Sequence, residues 1–173
     1  MNLITIKIDI MTESLYDKIN YYRCSFSKSL YDIILITDMK FDNYNTCTLI
    51  ELFDIMNNYD YWINLSLSCL ISSANIKKGL SIMNQSSLDQ LQLIEGNKKE
   101  TLDKILITGP YNYYYIPSQA IIDTLDYHNF KPSIFRTSSI KQLGNFNDQE
   151  YLEYKFSTIL KTNGGIKGII CKN

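Results

Sequence analysis

The fold class this sequence predicts is a three-layer α/β domain, a mostly parallel sheet with helices on both faces. Three observations predict it. Strand and helix signals alternate from Lys104 to Leu160 as one βαβα unit, an order that implies crossover connections and therefore parallel strands. The run Tyr31-Asp-Ile-Ile-Leu-Ile-Thr37 is nearly continuous and apolar, as strands buried on both faces of a parallel sheet are. A hydrophobic content of 45% with 20% charged residues is ordinary globular composition. The 173 residues are read as one domain, long enough to bury about 70% of the unfolded surface without staples.

The elements follow in chain order. Leu3–Ile10 alternates apolar and polar residues, a strand pattern rather than a signal peptide. Thr12–Arg23 is a short helix, started near Thr12 or Glu13, and Tyr31–Thr37 is the buried strand. After a loop at Asp38–Asn45, the segment Thr46–Asn57 spaces Leu49, Ile50, Leu52, Phe53 and Met56 as a helix does, with Asn45 or Thr46 as cap. Tyr61–Ser72 is a second central strand, its alternation predicting one apolar face. Ser73–Met83 is helical, while Leu88–Glu95 fits strand or helix equally. Strand Lys104–Thr108, helix Ser118–Asn129, strand Pro132–Arg136, loop Thr137–Asp148 and amphipathic helix Gln149–Lys161 complete the last unit. A Gly164-Gly165 helix stop then leads into a short apolar strand or docking segment.

Charge and cysteines exclude several classes. A net charge of −1, with Arg23 and Arg136 the only arginines, leaves no bulk electrostatic footprint for nucleic acid. Cys24, Cys47, Cys69 and Cys171 are scattered without a CxxC pair, so neither a zinc site nor a disulfide framework is expected. They read as reduced thiols of an intracellular protein. The longest apolar run, Trp62–Ser72, is about half a membrane helix, and a soluble protein is expected. The excess of Asn, Ile, Tyr and Lys matches A/T-rich coding, so the 14 tyrosines carry little weight by number alone.

Chemistry-bearing motifs are sparse. GxGxxG and Walker A patterns are absent. Gly109-Pro110 is too short to wrap a phosphate and Pro110 lacks a donor. Gly164–Gly168 follows a helix and reads as its C-cap. The single histidine, His128, falls at a predicted helix end, where a cation gains from the dipole. Asp123 and Asp126 read as a solvated helix face, whereas Asp38 and Asp42 follow a central strand, where α/β enzymes place acids. Tyr111-Asn-Tyr-Tyr-Tyr115 offers rings for base stacking or, more simply, for a protein interface.

In the last third, Ile105–Ile107, Ala120-Ile121, Pro132–Phe135, Arg136-Thr137-Ser138 and Gly144-Asn145-Phe-Asn147-Asp148 occur in one order before an amphipathic helix. That order resembles the carboxyl half of the ribosomal protein S-two family. The resemblance covers about a third of the chain; Arg136 stands where that family has Asp, and its Gly-His and Trp-x-Gly-Gly segments are absent. It implies a flavodoxin-like structural constituent of the small ribosomal subunit in mitochondria, not an enzyme, without cofactor or metal. Its partners would be other ribosomal proteins and, through a few phosphate contacts, rRNA. Homo-oligomers and membranes are not expected. The phosphate contacts would come from Lys77, Lys78, Lys98, Lys99, Arg136 and Lys141. Two alternatives stand beside it. One is a small phosphate- or nucleotide-handling enzyme that uses Asp38 and Asp42 with a divalent ion. The other is a viral or parasite interaction module that binds a host protein, its interface formed by Tyr111, Tyr113, Tyr114 and Tyr115.

Overall fold

The structure, a computed structural model, describes residues 1–8, 14–66, 71–94, 107–108, 114–115, 132–141 and 167–171. The chain opens with β1 (Asn2–Lys7), α1 (Ser14–Ser25), β2 (Tyr31–Ile36), β3 (Asn45–Cys47), α2 (Leu49–Met56), β4 (Tyr61–Ser66), α3 (Ser73–Gln85) and β5 (Gln90–Ile94). Then come β6 (Ile107–Thr108), β7 (Tyr114–Tyr115), β8 (Ser133–Arg136), α4 (Thr137–Lys141) and β9 (Lys167–Cys171). The described strands form one 9-stranded sheet in the order β3-β2-β1-β4-β8-β5-β9-β7-β6.

Burial on both faces makes the three layers. Ile4, Ile6, Leu35, Ile63, Leu91 and Ile134 meet Leu15, Ile19 and Tyr22 of α1 and Ile76, Leu80 and Met83 of α3. The opposite face sets Leu3, Ile34, Trp62 and Phe135 against Leu52 and Met56 of α2 and Ile140 of α4. Trp62 and Phe135 stack at 4.9 Å between centroids. Both faces of β4 are buried, so its expected single apolar face is corrected. Asn64 is hidden as well as Ile63 and Leu65. On the α2 side, Thr5, Asn64, Ser133 and Gln92 are register partners across β1, β4, β8 and β5, each 2% exposed or less. Trp62 Nε1 donates to Thr5 Oγ1 at 2.8 Å, and Thr5 Oγ1 to Asn64 Oδ1 at 3.4 Å, which provides partners inside a layer where unpaired polar groups are costly.

Several boundaries differ from expectation for local reasons. Residues 45–47 pair with β2, so the chain is still extended at Asn45 and Thr46, and the cap of α2 moves to Thr48. Thr48 and Glu51 form a capping box: Thr48 N–H donates to Glu51 Oε2 at 2.8 Å, and Glu51 N–H to Thr48 Oγ1 at 3.3 Å. Those bonds, the Thr48 amide first, hold the Glu51 carboxyl below its usual range. Within the segment that fitted strand or helix equally, Gln90–Ile94 is strand β5. The strand at Pro132–Arg136 is present as β8, but it runs antiparallel to both β4 and β5, so the sheet is mixed. Thr137–Lys141 is helical rather than loop. The predicted helices Ser118–Asn129 and Gln149–Lys161 lie outside the described residues.

Gly79 sets the distance of α3 from the sheet. A Cβ there would lie 2.7 Å from Ile134 Cδ1 and 3.1 Å from Leu93 Cδ2. Gly79→Ala is expected to stay within about 1 kcal/mol of the native protein, because helix propensity offsets the shift of one side-chain tip. Gly79→Val should lose about 2–3 kcal/mol by overpacking. Urea unfolding of the pair checks both.

Candidate functional site

The strands β2, β1 and β4 are parallel neighbours, so their carboxyl ends share one edge. The chain goes from β1 to β2 on one side, then returns by α2 to β4 on the other. Order reverses at β1, and in open α/β sheets the crevice beyond such a reversal is where ligands bind.

Two loops on this edge are fixed by α1. The first follows β2. Thr37 N–H donates to Cys47 O at 3.0 Å, and Met39 N–H to Thr37 Oγ1 at 3.1 Å, which holds the exposed Asp38 in a tight turn. Asn43 adopts φ 69°, a left-handed conformation that Asn tolerates, and turns the chain back toward β3. Phe41 and Tyr44 pack on the core. Tyr44 Oη donates to Asn20 Oδ1 at 3.3 Å, and the Arg23 guanidinium lies 4.9 Å from the Tyr44 ring centroid. The second loop leads from β4 into α3. Buried Tyr22 donates its hydroxyl to Ile71 O and accepts from Ile71 N–H, both at 3.0 Å. Tyr21 Oη accepts from Ser73 N–H at 3.1 Å, and Ser72 caps the helix through Asn75 N–H at 3.2 Å.

Between α1 and the first loop opens a groove of about 550 Å³ that Tyr16, Arg23, Lys40, Phe41, Asp42 and Tyr44 help to line. Asp38 and Asp42 thus share a loop, but Asp42 lines this groove and Asp38 does not. Among the described residues no group of three or more His, Cys, Asp or Glu side chains could hold a metal ion.

Those of the residues expected to contact phosphates that the structure describes lie on different elements. Lys77 Nζ donates to Ser25 O at 3.3 Å and sits 5.5 Å from the Phe26 ring centroid; Lys78, beside it on α3, is exposed. Lys141 ends α4 on the opposite face of the sheet. Arg136 is half-buried: Nη2 donates to Met83 O at 2.8 Å and Ser86 O at 3.0 Å, Nε to Leu88 O at 3.2 Å, and Nη1 to Tyr61 Oη at 3.1 Å. Lys98, Lys99, Tyr111, Tyr113, Asp123, Asp126 and His128 lie outside the described residues. The backbones of Tyr114 and Tyr115 form β7, paired with β6 and β9. The groove was missed from the sequence; the signal available was Arg23, one of only two arginines.

No family profile and no curated protein matches the sequence. Solved structures do match the fold. CMP:2-keto-3-deoxy-manno-octonic acid synthetase complexed with CTP superposes with a TM-score of 0.57 at 13% identity, over 99% of this chain and 89% of that one. A cytidylyltransferase from Leptospira borgpetersenii gives 0.56 at 12%, over 99% and 75%. The 1–349 portion of S. aureus TarS gives 0.63 at 10%, over 99% of this chain and 58% of that one; it has also been solved with UDP and with UDP-GlcNAc. The chain therefore spans little more than half of that TarS portion.

These likenesses define a Rossmann-like three-layer α/β fold. They also correct one expectation: the chain was read as non-enzymatic, yet the synthetase and the cytidylyltransferase show this to be a fold that enzymes use. The ribosomal and mitochondrial expectations find no support in them. Among the described residues no helix is long and apolar enough to cross a membrane.

Two outcomes follow from the side-chain environments. Replacing Arg136 by Gln leaves carbonyls at the end of α3 without a donor and should cost about 2–4 kcal/mol in urea unfolding; a surface phosphate contact would leave stability unchanged. Burial, with the Glu51 charge adding, pushes the Cys47 thiol up to about 11. At pH 8 its thiolate fraction is then on the order of 0.1%. Iodoacetamide should label exposed Cys24 at least about tenfold faster than Cys47, read by peptide mass spectrometry.

Proposed function

We propose that this chain is a nucleotide-handling α/β enzyme that binds a pyrimidine nucleotide at the carboxyl edge of β1, β2 and β4. The observation that carries the reading is the reversal of strand order at β1 with an exposed carboxylate, Asp38, directly beyond β2. An acid at that position suits hydrogen bonds from ribose hydroxyls in dinucleotide-binding α/β proteins. The start of α3, tied down by Tyr21 and Tyr22 on the same edge, turns the positive end of its helix dipole toward the side where phosphates would lie. Support comes from the matched structures, which hold CTP in one case and UDP or UDP-GlcNAc in another. The reaction class is transfer of a group from the nucleotide. In this reading Asp38 orients the nucleoside, and the α3 start faces the charge that builds on the departing phosphate.

Titration of the purified protein with CTP and UDP, magnesium present, tests this. At a concentration of about 100 times Kd a nucleotide should stabilise the fold by about 2.7 kcal/mol, a clear rise in Tm. Asp38→Asn should weaken binding about ten- to a hundredfold, the loss of one hydrogen bond to a charged group, with the unliganded Tm unchanged. Absence of any shift with either nucleotide would refute the reading.

A further inference from the structure

The groove between α1 and the loop after β2 has a chemistry of its own. It collects two cations from two elements, Arg23 of α1 and Lys40 of the loop, with one carboxylate, Asp42, and the rings of Tyr16, Phe41 and Tyr44. Among the described residues none of the three is paired with an opposite charge: the one ion pair there joins the Met1 amine to Asp60. Arg136, the other arginine, is committed to backbone carbonyls, so Arg23 carries the free guanidinium fork. It lies over the Tyr44 ring, 4.9 Å from the centroid, and Tyr44 is itself anchored by Asn20. An arginine held against a ring loses less rotamer freedom when its edge meets an oxyanion.

We infer that this groove binds a phosphorylated sugar or polyol, with the phosphate between Arg23 and Lys40 and the hydroxyls on Asp42. The mixed lining selects for that class. Inorganic phosphate would use the cations but meet Asp42 with repulsion and leave the rings unused. A neutral sugar would use Asp42 and the exposed Tyr16 ring but leave both cations bare. A nucleobase would be left the Tyr16 ring, since Tyr44 is covered by Arg23 and Phe41 meets Tyr44 edge-on, 89° between planes at 6.5 Å, and it would leave both cations bare. A hydroxyl-bearing chain or ring with one phosphate satisfies the cations and the carboxylate together. The site stands apart from the nucleotide reading, because Asp38 lies outside the groove lining and the binding is read without nucleotide.

The test is calorimetric titration of the full chain with glucose 1-phosphate, glucose and inorganic phosphate, on the native protein, Arg23→Gln and Lys40→Gln. UDP is titrated in parallel, and circular dichroism checks folding. The expected result is that glucose 1-phosphate binds at least about tenfold more tightly than either half alone, and that each substitution weakens it at least about tenfold. UDP binding should be the same in all three proteins. Four results would overturn the inference: no binding of glucose 1-phosphate, equal binding of inorganic phosphate, variants that bind as the native protein does, or variants that lose UDP together with the sugar phosphate. If Arg23→Gln does not fold, Lys40→Gln on the exposed loop decides alone. Failure of UDP to bind the native protein would count against the nucleotide reading only.

Discussion

The position of β8 is the constraint on which the rest of the sheet depends, and Arg136 is what holds it. The strand enters between β4 and β5 from a point far along the chain and runs against both. At its end the guanidinium reaches Met83, Ser86 and Leu88 carbonyls, where α3 has run out of intrahelical donors. Thr137, the next residue, donates its hydroxyl to the Tyr59 and Asp60 carbonyls, and Asp60 in turn takes the Met1 amine at 2.7 Å. One short segment thus ties together the start of β1, the start of β4 and the end of α3. These all lie on the amino edge of the sheet.

The carboxyl edge is organised differently, by a single helix. Through Tyr22 and Tyr21, α1 grips the loop into α3, and through Asn20 and Arg23 it grips the loop after β2. Loops that flank the strand-order reversal are therefore set against a common support, while the amino edge is locked by β8. A rigid scaffold that presents loops at one edge is the arrangement on which binding sites are usually built. Electrostatics follow the same division. The arginine on the locked edge is consumed by structure, and the arginine beside the loop after β2 is left with an open guanidinium edge.

Much of the first half was legible in the sequence because hydrophobic periodicity is local. The strand at Tyr31–Ile36, the helix at Leu49–Met56 and the helix at Ser73–Gln85 were all anticipated within a few residues. Asp38 was picked out because acids beyond a central strand are common in α/β sites. Misreadings arose where a neighbour decided the outcome. Asn45–Cys47 is a strand only because β2 offers it an edge. The polar residues of β4 looked solvent-facing, yet Asn64 is buried beside Thr5. Arg136 looked available for a phosphate because nothing in its local sequence reveals three carbonyls waiting 48 to 53 residues upstream.

By itself the sequence determined the alternation of strands and helices through the first half, the three-layer class and the identity of the acid after β2, since each depends on spacing within about ten residues. Tertiary structure alone decided the direction of β8, the mixed character of the sheet, the fate of Arg136 and the groove around Arg23. A short apolar strand has the same residue pattern whichever way it runs, and only the partners across the sheet choose its polarity. A charged side chain likewise reads as solvated until packing brings carbonyls or rings within a few ångströms of it.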